Sequence, residues 1–221
     1  MSNTNKQKFD ALPQRQKKYA KTKTALLNAL LEELSSKPLT DVAIKALCKT
    51  AEVSEPTFFN YFDSKQHMLV YFIQLWSVEM NALAKTCEAT NTSYTETIKH
   101  IFVKTAQQIS AHPRIMQEVL AFQALNTQLH PHNISDGEKW IFFSNITDVE
   151  NLEGMGLDSI LPPLISKAVS AGELDQPIDQ ELFFLTLSSL FMGTSLLVLQ
   201  RDPQFLPDAF AAQLDYIFSR S

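Results

Sequence analysis

The sequence is poor in glycine and cysteine, and it lacks the short motifs of most enzymes. Five glycines in 221 residues disfavour a turn-rich β fold and favour helices. Cys48 and Cys87 form no CxxC pattern and have no neighbouring histidine pair, so the sequence predicts neither a disulfide framework nor a zinc site. It contains no Gly-rich phosphate loop, HExxH motif or nucleophile–base pair. We therefore predict that the protein is not an enzyme and binds no metal or cofactor.

The hydrophobic content is that of an ordered globular protein. Apolar residues make up 45% of the chain and charged residues 19%. The N-terminus lacks the apolar segment of a secretory signal, so we expect a cytoplasmic location. The uncharged stretch 182–199 is barely long enough to span a membrane. Its hydroxyl residues and the lack of flanking basic residues favour a buried helix, and we predict no membrane partner.

The charge of the chain is unevenly distributed. The formal net charge is −5, but residues 1–65 hold 11 basic and 7 acidic residues, against 8 basic and 17 acidic in the remainder. A basic end is typical of proteins that bind nucleic acid. A solvated, flexible tail would give the same pattern. The charge alone therefore does not decide between these two interpretations.

The stretch 39–65 has the pattern of two short helices joined by a tight turn. Thr40 is a natural N-cap for a helix predicted over Asp41–Lys49. Ser54 is a second N-cap, and Pro56 fits the first turn of a helix predicted over Glu55–Tyr61. Two short helices this close together predict a helix-turn-helix.

The second of these helices has the composition of a DNA recognition helix. Glu55 can accept a hydrogen bond from a cytosine amino group, and Asn60 can pair with adenine. Thr57 or Phe59 can contact a thymine methyl group. Thr40, Tyr61 and Lys65 are expected to bind phosphates, which fix the register without reading the sequence. The complete predicted DNA contact set is Thr40, Ser54, Glu55, Pro56, Thr57, Phe59, Asn60, Tyr61 and Lys65.

Three features of residues 20–70 occur together in a known family: Thr40, the pattern Val53-Ser54-x-x-Thr57, and the run Asn60-Tyr61-Phe62-x-Ser64-Lys65. On these residues the sequence resembles the DNA-binding domain of TetR-type transcriptional repressors. The resemblance implies an all-α homodimer with a variable, ligand-binding C-terminal domain. The sequence departs from the family pattern at three places, the first being Lys37-Pro38, which replaces the usual Gly-containing exit from the first helix. Glu52 stands where the family usually has glycine, and Phe59 stands where it most often has tyrosine.

We predict an all-α fold of about nine helices, with a three-helix DNA-binding head and a larger helical domain. The predicted domains are a flexible basic arm at 1–16, a helix-turn-helix domain at 17–65, and a ligand-binding and dimerisation domain at 66–221. Apolar periodicity predicts the remaining helices at about 17–35, 65–88, 95–111, 113–129, 137–150, 158–171, 179–200 and from 207.

The larger domain holds two sets of candidate functional residues. The first would line a cavity for an apolar or aromatic ligand, although aromatic residues at helical spacing are more often plain core: Phe72, Trp76, Met80, Phe102, Phe122, Trp140, Phe143 and Met155. The second would form a four-helix dimer interface from two apolar C-terminal helices: Leu182, Leu185, Ser189, Gly193, Leu196, Phe210, Leu214 and Ile217.

These features together predict a ligand-responsive, sequence-specific DNA-binding repressor. Two-fold symmetry of a homodimer predicts a palindromic operator with half-sites about one DNA turn, ~34–36 Å, apart. The alternative is a helical adaptor that binds other proteins and does not read DNA. An adaptor would explain the apolar C-terminal helices equally well.

Overall fold

A computed structural model describes residues 3–125, 131–174 and 178–219. Among these residues there are eleven α-helices and no β-strand, which confirms the predicted all-α fold. The helices are α1 Asn3–Ala11, α2 Gln14–Leu34, α3 Ile44–Thr50, α4 Glu55–Phe59, α5 Lys65–Ala89, α6 Tyr94–Ala111, α7 Pro113–Leu125, α8 Asp136–Phe142, α9 Leu161–Ser170, α10 Gln180–Leu199 and α11 Leu206–Phe218.

Side-chain caps fix where several of these helices begin. Ser93 accepts a hydrogen bond from the backbone N–H of Glu96 at the start of α6. Asp179 accepts from the N–H groups of Glu181 and Leu182 at the start of α10. Such caps satisfy backbone donors that have no partner within the helix. Most helices lie where the sequence predicts them. Helix α8, however, ends at Phe142, short of the predicted end at 150, and the end of the helix predicted over 113–129 lies outside the described residues.

The flexible arm predicted at 1–16 is wrong. Residues 3–11 form α1, and Asn5 is 1% exposed. The Asn5 side-chain amide donates to the carbonyl oxygens of Phe143, at 3.1 Å, and Ile146, at 2.8 Å. Lys8 pairs with Glu150 at 2.5 Å between Nζ and Oε1. These partners lie more than 130 residues away along the chain, so no local pattern in the N-terminal sequence announces them.

The contacts divide the chain into two compact units. The head unit comprises Met1–Glu79 and Phe122–Gly154, and the body unit comprises Met80–Ala121 and Met155–Ser221. This division differs from the predicted domain boundary at residue 65, because α8 and the segment after it belong with the DNA-binding helices. Gly154 packs so closely on α5 that a Cβ there would overlap the carbonyl oxygen of Gln74.

Helix α10 is apolar on two sides, and only one side is buried. By length and composition, Gln180–Leu199 is the one described helix that could cross a membrane, with 33% of its apolar window buried. Phe183, Leu187 and Phe191 face the core of the body unit, whereas Leu182 and Leu185 are more than half exposed. The buried helix predicted here is therefore only half buried, and its outer face needs another explanation.

Candidate nucleic-acid interface

Helix α2 supports the two short helices of the head. Its inner stripe is completely buried at Leu26, Leu30 and Leu34. Helix α3, with Leu47 buried, packs on α2, and α4, with Phe58 buried, packs on α3. Helices of seven and five residues are too short to be stable alone, so this packing is what holds them in place.

The turn between α3 and α4 contains a strained residue. Glu52 has φ of 54°, in the left-handed region that glycine adopts without cost. The turn is closed by the N–H of Val53, which donates to the carbonyl of Cys48 at 2.9 Å. The structure thus gives a physical meaning to the position where the family usually has glycine.

We predict that Glu52→Gly stabilises the protein and that Glu52→Ala does not. Both variants remove the same exposed carboxylate, but only glycine relieves the left-handed backbone. The expected gain is about 0.5–1 kcal/mol of unfolding free energy, read from urea unfolding midpoints. Equal stability of the two variants would show that the turn stores no strain.

Helix α4 carries four of the residues predicted to contact DNA, and we call it the recognition helix below. The Ser54 hydroxyl accepts a hydrogen bond from the Thr57 backbone N–H at 3.3 Å, so the predicted cap is present. Phe58 is fully buried and its ring lies 6.0 Å from that of Phe62. Phe59 is 52% exposed, on the outward side. The helix therefore anchors one aromatic ring inside and offers the next one to a partner. Among the other predicted contact residues of this segment, Glu55, Pro56 and Asn60 are exposed, whereas Thr57 is half-buried.

Thr40 is not the N-cap of α3, so that part of the prediction is wrong. The residues Leu39–Asp41 form a separate 3-10 turn, and α3 begins at Ile44 without a side-chain cap. The Thr40 hydroxyl donates to the Asp41 carboxylate at 3.1 Å instead. Thr40 remains exposed, so a phosphate contact there stays a prediction.

Lys65 braces the start of α5 against the segment before α3. Its ammonium donates to the carbonyl oxygens of Thr40, at 2.9 Å, and Val42, at 2.8 Å. Ser64 caps the same helix by accepting from the N–H of His67 at 3.1 Å. An ammonium has three donors, so one N–H of Lys65 is left for a phosphate. Lys65 is thus a structural tie, and its predicted phosphate contact stays a prediction.

The basic residues of the first 23 positions do not all face outward. Lys8 pairs with Glu150, and Lys23 is 1% exposed beside Glu138. Four basic side chains remain exposed: Lys6, Arg15, Lys18 and Lys21. Tyr61, a predicted phosphate contact, is half-buried, with its ring 4.9 Å from that of Tyr19. The positive charge offered to DNA is therefore smaller than the sequence count.

A pair of stacked histidines lies beside Phe62, whose ring is 5.3 Å from that of His132. The rings of His67 and His132 are 3.9 Å apart, and His132 Nε2 donates to the carbonyl of His67 at 2.9 Å. The backbone of His132 also exchanges two hydrogen bonds with Gln74. Burial lowers the pKa of His132 to about 4, and the positive charge of Lys23 acts in the same direction. His132 is thus a packed, neutral ring rather than a solvated side chain.

We predict that acid destabilises the protein through His132. The folded pKa lies below the value of about 6.5 for an unfolded histidine, so the unfolded chain binds the proton first. His132 should contribute no change in stability above pH 7, and stability should fall as the pH drops from about 6.5 towards 4, by less than the roughly 1.4 kcal/mol per pH unit of a fully buried site. Unfolding midpoints measured at pH 8, 7, 6 and 5 test this. His132→Phe keeps a ring in place and should flatten the decline; an unchanged pH profile would exclude His132 as its source.

The residues predicted to line a ligand cavity are divided between the two units. Five are half-buried in the head unit: Phe72, Trp76, Phe122, Trp140 and Phe143. In the body unit Met80 and Phe102 are completely buried, whereas Met155 is 50% exposed. The Phe102 ring contacts the rings of Phe191 and Phe210 at 5.3 and 5.2 Å. This packing makes Phe102 a core residue, and the remaining pocket assignments stay predictions.

A surface groove of about 460 Å³ lies in the body unit, and sequence reasoning missed it. Its floor is apolar, with Leu83, Val103 and Ala211, and its rim is charged. Lys99 bridges the rim by pairing with Glu96, at 2.6 Å, and Asp215, at 2.5 Å. None of the predicted pocket residues lines it. Within the described ranges no three potential metal ligands lie together.

The predicted dimer residues fall into two groups. Leu182, Leu185 and Leu196 are 59%, 58% and 49% exposed on one face of α10, and Ser189 lies exposed on the same face. A Cβ at Gly193 would meet no atom within 4 Å, so this face is open. Phe210 and Leu214 are instead fully buried in the body unit and cannot belong to an interface as predicted; Ile217 is half-buried. Three exposed apolar residues were missed: Leu197, Phe205 and Tyr216.

Comparison with known proteins gives a consistent relationship. Residues 19–72 match the model of the bacterial regulatory proteins of the tetR family. No curated protein sequence matches the chain significantly. Among solved structures, the chain is similar to Thermus thermophilus FadR in complex with lauroyl-CoA, a TetR-family transcriptional repressor, with 17% identity and a TM-score of 0.63 over 89% of this chain and 92% of that one.

Two other solved structures cover the chain to a similar extent. Bacillus subtilis FadR in complex with stearoyl-CoA has 14% identity and a TM-score of 0.57 over 88% of this chain and 96% of that one. Escherichia coli NemR in its reduced form has 18% identity and a TM-score of 0.55 over 86% of this chain and 95% of that one. At these identities the similarity shows a shared fold over nearly the whole chain.

Proposed function

We propose that the chain is a DNA-binding transcriptional regulator, a homodimeric repressor released by a small ligand, because residues 19–72 match the model of the tetR family of bacterial regulatory proteins. The observation that carries the proposal is the recognition helix. It is capped by Ser54, anchored by the buried Phe58, and exposed at Glu55, Phe59 and Asn60. An exposed aromatic beside a carboxylate and an amide is chemistry suited to base edges.

We assign the contacts to two classes. Glu55 accepts from a cytosine amino group, Asn60 pairs with adenine, and Phe59 packs on a thymine methyl group. Thr40, Tyr61 and the remaining donor of Lys65 hold phosphates. Base contacts set the sequence preference, whereas phosphate contacts add affinity that falls as salt rises.

The full chain should bind a duplex from the region upstream of its own gene. Fluorescence anisotropy at low and physiological salt, followed by footprinting, measures affinity, salt slope and the symmetry of the protected site. A palindromic footprint with half-sites one turn apart supports the repressor. A protein that leaves the anisotropy unchanged even at low salt is the helical adaptor instead.

The exposed face of α10 supports dimerisation. Soluble monomers rarely expose a continuous apolar patch of this kind, and Leu182, Leu185 and Leu196 recur along one helical face together with small residues at 189 and 193. We propose that two copies pair through this face and the neighbouring part of α11. Each copy then presents one recognition helix to one half of a palindrome.

Leu185→Arg should convert the dimer into a monomer. A buried, unpaired guanidinium at each copy of the interface is strongly unfavourable. Light scattering after gel filtration should show about half the wild-type mass, and operator affinity should fall on the order of 100-fold because the two half-sites no longer act together. Leu125→Arg is the matched control, since Leu125 is also exposed but lies on α7. A Leu185→Arg protein that remains dimeric would place the interface elsewhere.

We propose that the releasing ligand has a large apolar part. The two FadR proteins with this fold bind lauroyl-CoA and stearoyl-CoA. The head unit here carries five half-buried aromatic residues that such a chain could contact. Thermal-shift measurements with acyl-CoA of increasing chain length, and with aromatic compounds, should reveal a stabilising class. The same class should release the protein from its duplex, since a ligand shifts an equilibrium only by binding one state more tightly.

A further inference from the structure

The head unit contains a fully buried ion pair that neither its fold nor its DNA contacts explain. Lys23 of α2 is 1% exposed and Glu138 of α8 is 0% exposed, and their Nζ and Oε1 atoms are 3.0 Å apart. Charged groups are almost never buried in this way unless each has a partner. The two residues are 115 positions apart in the chain. The pair therefore joins α2 to α8, which lies far along the chain.

Both oxygens of the Glu138 carboxylate are fully used. Oε1 accepts from Lys23 and from the Tyr71 hydroxyl, the latter at 2.6 Å. Oε2 accepts from the backbone N–H of Ser135 at 2.9 Å and from its hydroxyl at 2.5 Å. Burial raises the pKa of Tyr71, which keeps its hydroxyl a donor. We call Lys23, Tyr71, Ser135 and Glu138 the Glu138 cluster.

A continuous series of contacts leads from the Glu138 cluster to the recognition helix. The Lys23 ammonium lies 4.1 Å from the centre of the Tyr71 ring and 5.9 Å from that of Phe62. The Phe62 ring lies 6.0 Å from that of Phe58, which anchors α4. A shift of Lys23 would therefore reach the residue that seats the recognition helix. The contacts in this series are cation–ring contacts and hydrogen bonds, and both depend on the orientation of the groups that form them.

An ion pair is not needed here for stability alone. Well-packed apolar side chains of similar volume commonly replace a buried ion pair without loss of stability. The pair instead adds geometric specificity, because its hydrogen bonds can form in only one relative placement of α2, α5 and α8. Apolar side chains tolerate small shifts in that placement.

We propose that Glu138 is a positioning residue for DNA binding: through Lys23 and Phe62 it sets the placement of the recognition helix. The proposal rests on the DNA-binding function proposed above. It assigns part of the DNA-binding machinery to α8, far outside residues 19–72. Glu138 itself does not touch DNA; it acts through the residues that hold α4.

The test compares Glu138→Gln, Lys23→Met and the double variant Lys23→Met/Glu138→Leu in the full chain. Urea unfolding gives stability, and anisotropy gives affinity for a duplex selected from a random pool by the wild-type protein and for a random duplex. The single variants should lose stability because each leaves a buried group without its partner. The double variant should regain the wild-type unfolding midpoint but bind the selected duplex about tenfold more weakly, with its affinity for random duplex unchanged.

A double variant that regains both stability and selected-duplex affinity would overturn the proposal, because the pair would then be a replaceable part of the core. Should the double variant not fold, Tyr71→Phe provides a second measurement: it removes one donor and keeps the ring. It should weaken selected-duplex binding at least threefold, and unchanged affinity would count against the proposal. Lys8→Met is the matched control, because the Lys8–Glu150 pair lies in the same unit but is partly exposed. A wild-type protein that selects no duplex would instead refute the proposed function itself.

Discussion

Phe58→Ala is expected to abolish operator binding and to remove a large part of the stability of the protein. The ring is completely buried and is the main apolar anchor of the five-residue recognition helix. Truncating a buried phenylalanine costs about 3–5 kcal/mol, because packing is lost and a cavity remains. Total stabilities are commonly about 5–15 kcal/mol, so this loss is a large share of the whole, and the protein should unfold at a markedly lower urea concentration. Circular dichroism during urea unfolding and anisotropy with the selected duplex measure the two effects.

The adjacent residue provides the control. Phe59→Ala removes the same number of atoms from the same helix, but Phe59 is 52% exposed. Its unfolding free energy should stay within about 0.5 kcal/mol of wild type, while affinity for the selected duplex falls and affinity for random duplex holds. Similar stability losses in both variants would mean that α4 does not present Phe59 outward. Unchanged binding by Phe59→Ala would remove Phe59 from the contact set.

The recognition helix could be predicted from the sequence because its determinants are local. Ser54 and Thr57 are three residues apart, and the cap between them depends on nothing outside the segment. The same reasoning failed at Thr40, which also precedes an apolar pattern. There the chain forms a 3-10 turn, and the Thr40 hydroxyl binds Asp41 instead. A cap residue thus indicates where a helix can begin, and the surrounding packing decides whether it does.

The interior of the head unit could not be predicted, because its key contacts join distant segments. Lys23 looks like any other lysine of a basic N-terminal helix, and Glu138 looks like the acidic residue of a helix cap. Only the fold brings them to 3.0 Å. The same holds for Asn5, whose amide binds carbonyl groups some 140 residues away. Charge counts along the sequence therefore overestimate the charge available to DNA.

Apolar periodicity predicts a helix with an apolar face, but it does not show whether that face packs in the core or is exposed. In α10 and α11 the pattern correctly predicted helices with excess apolar surface. It could not tell that Phe210 and Leu214 face inward while Leu182 and Leu185 face outward. The distinction depends on how α11 packs on α6, and on how α10 packs on α9 and α11, in the body unit. Residues from both groups were therefore assigned to one interface.

Phe102 could line a ligand pocket or be part of the hydrophobic core, and its contacts distinguish these two roles. Its ring is fully buried and makes edge-to-face contacts with Phe191 and Phe210, which stack on each other at 5.6 Å. Pairs of this geometry add about 0.5–1.5 kcal/mol each beyond the burial of their surface. A ligand in place of these contacts would have to separate three packed rings.

We therefore expect Phe102→Ala to lower the unfolding free energy by about 3–5 kcal/mol, because it opens a cavity between α6, α10 and α11. Phe102→Leu, which refills most of that volume, should recover more than half of the loss. Met155→Ala is the comparison within the same predicted set, and it should be nearly neutral because Met155 is half exposed. Urea unfolding of the three variants measures their unfolding free energies and so their order of stability. A stable Phe102→Ala protein with altered ligand affinity would instead return Phe102 to the pocket, since a wall residue loses contacts to the ligand and few to its neighbours.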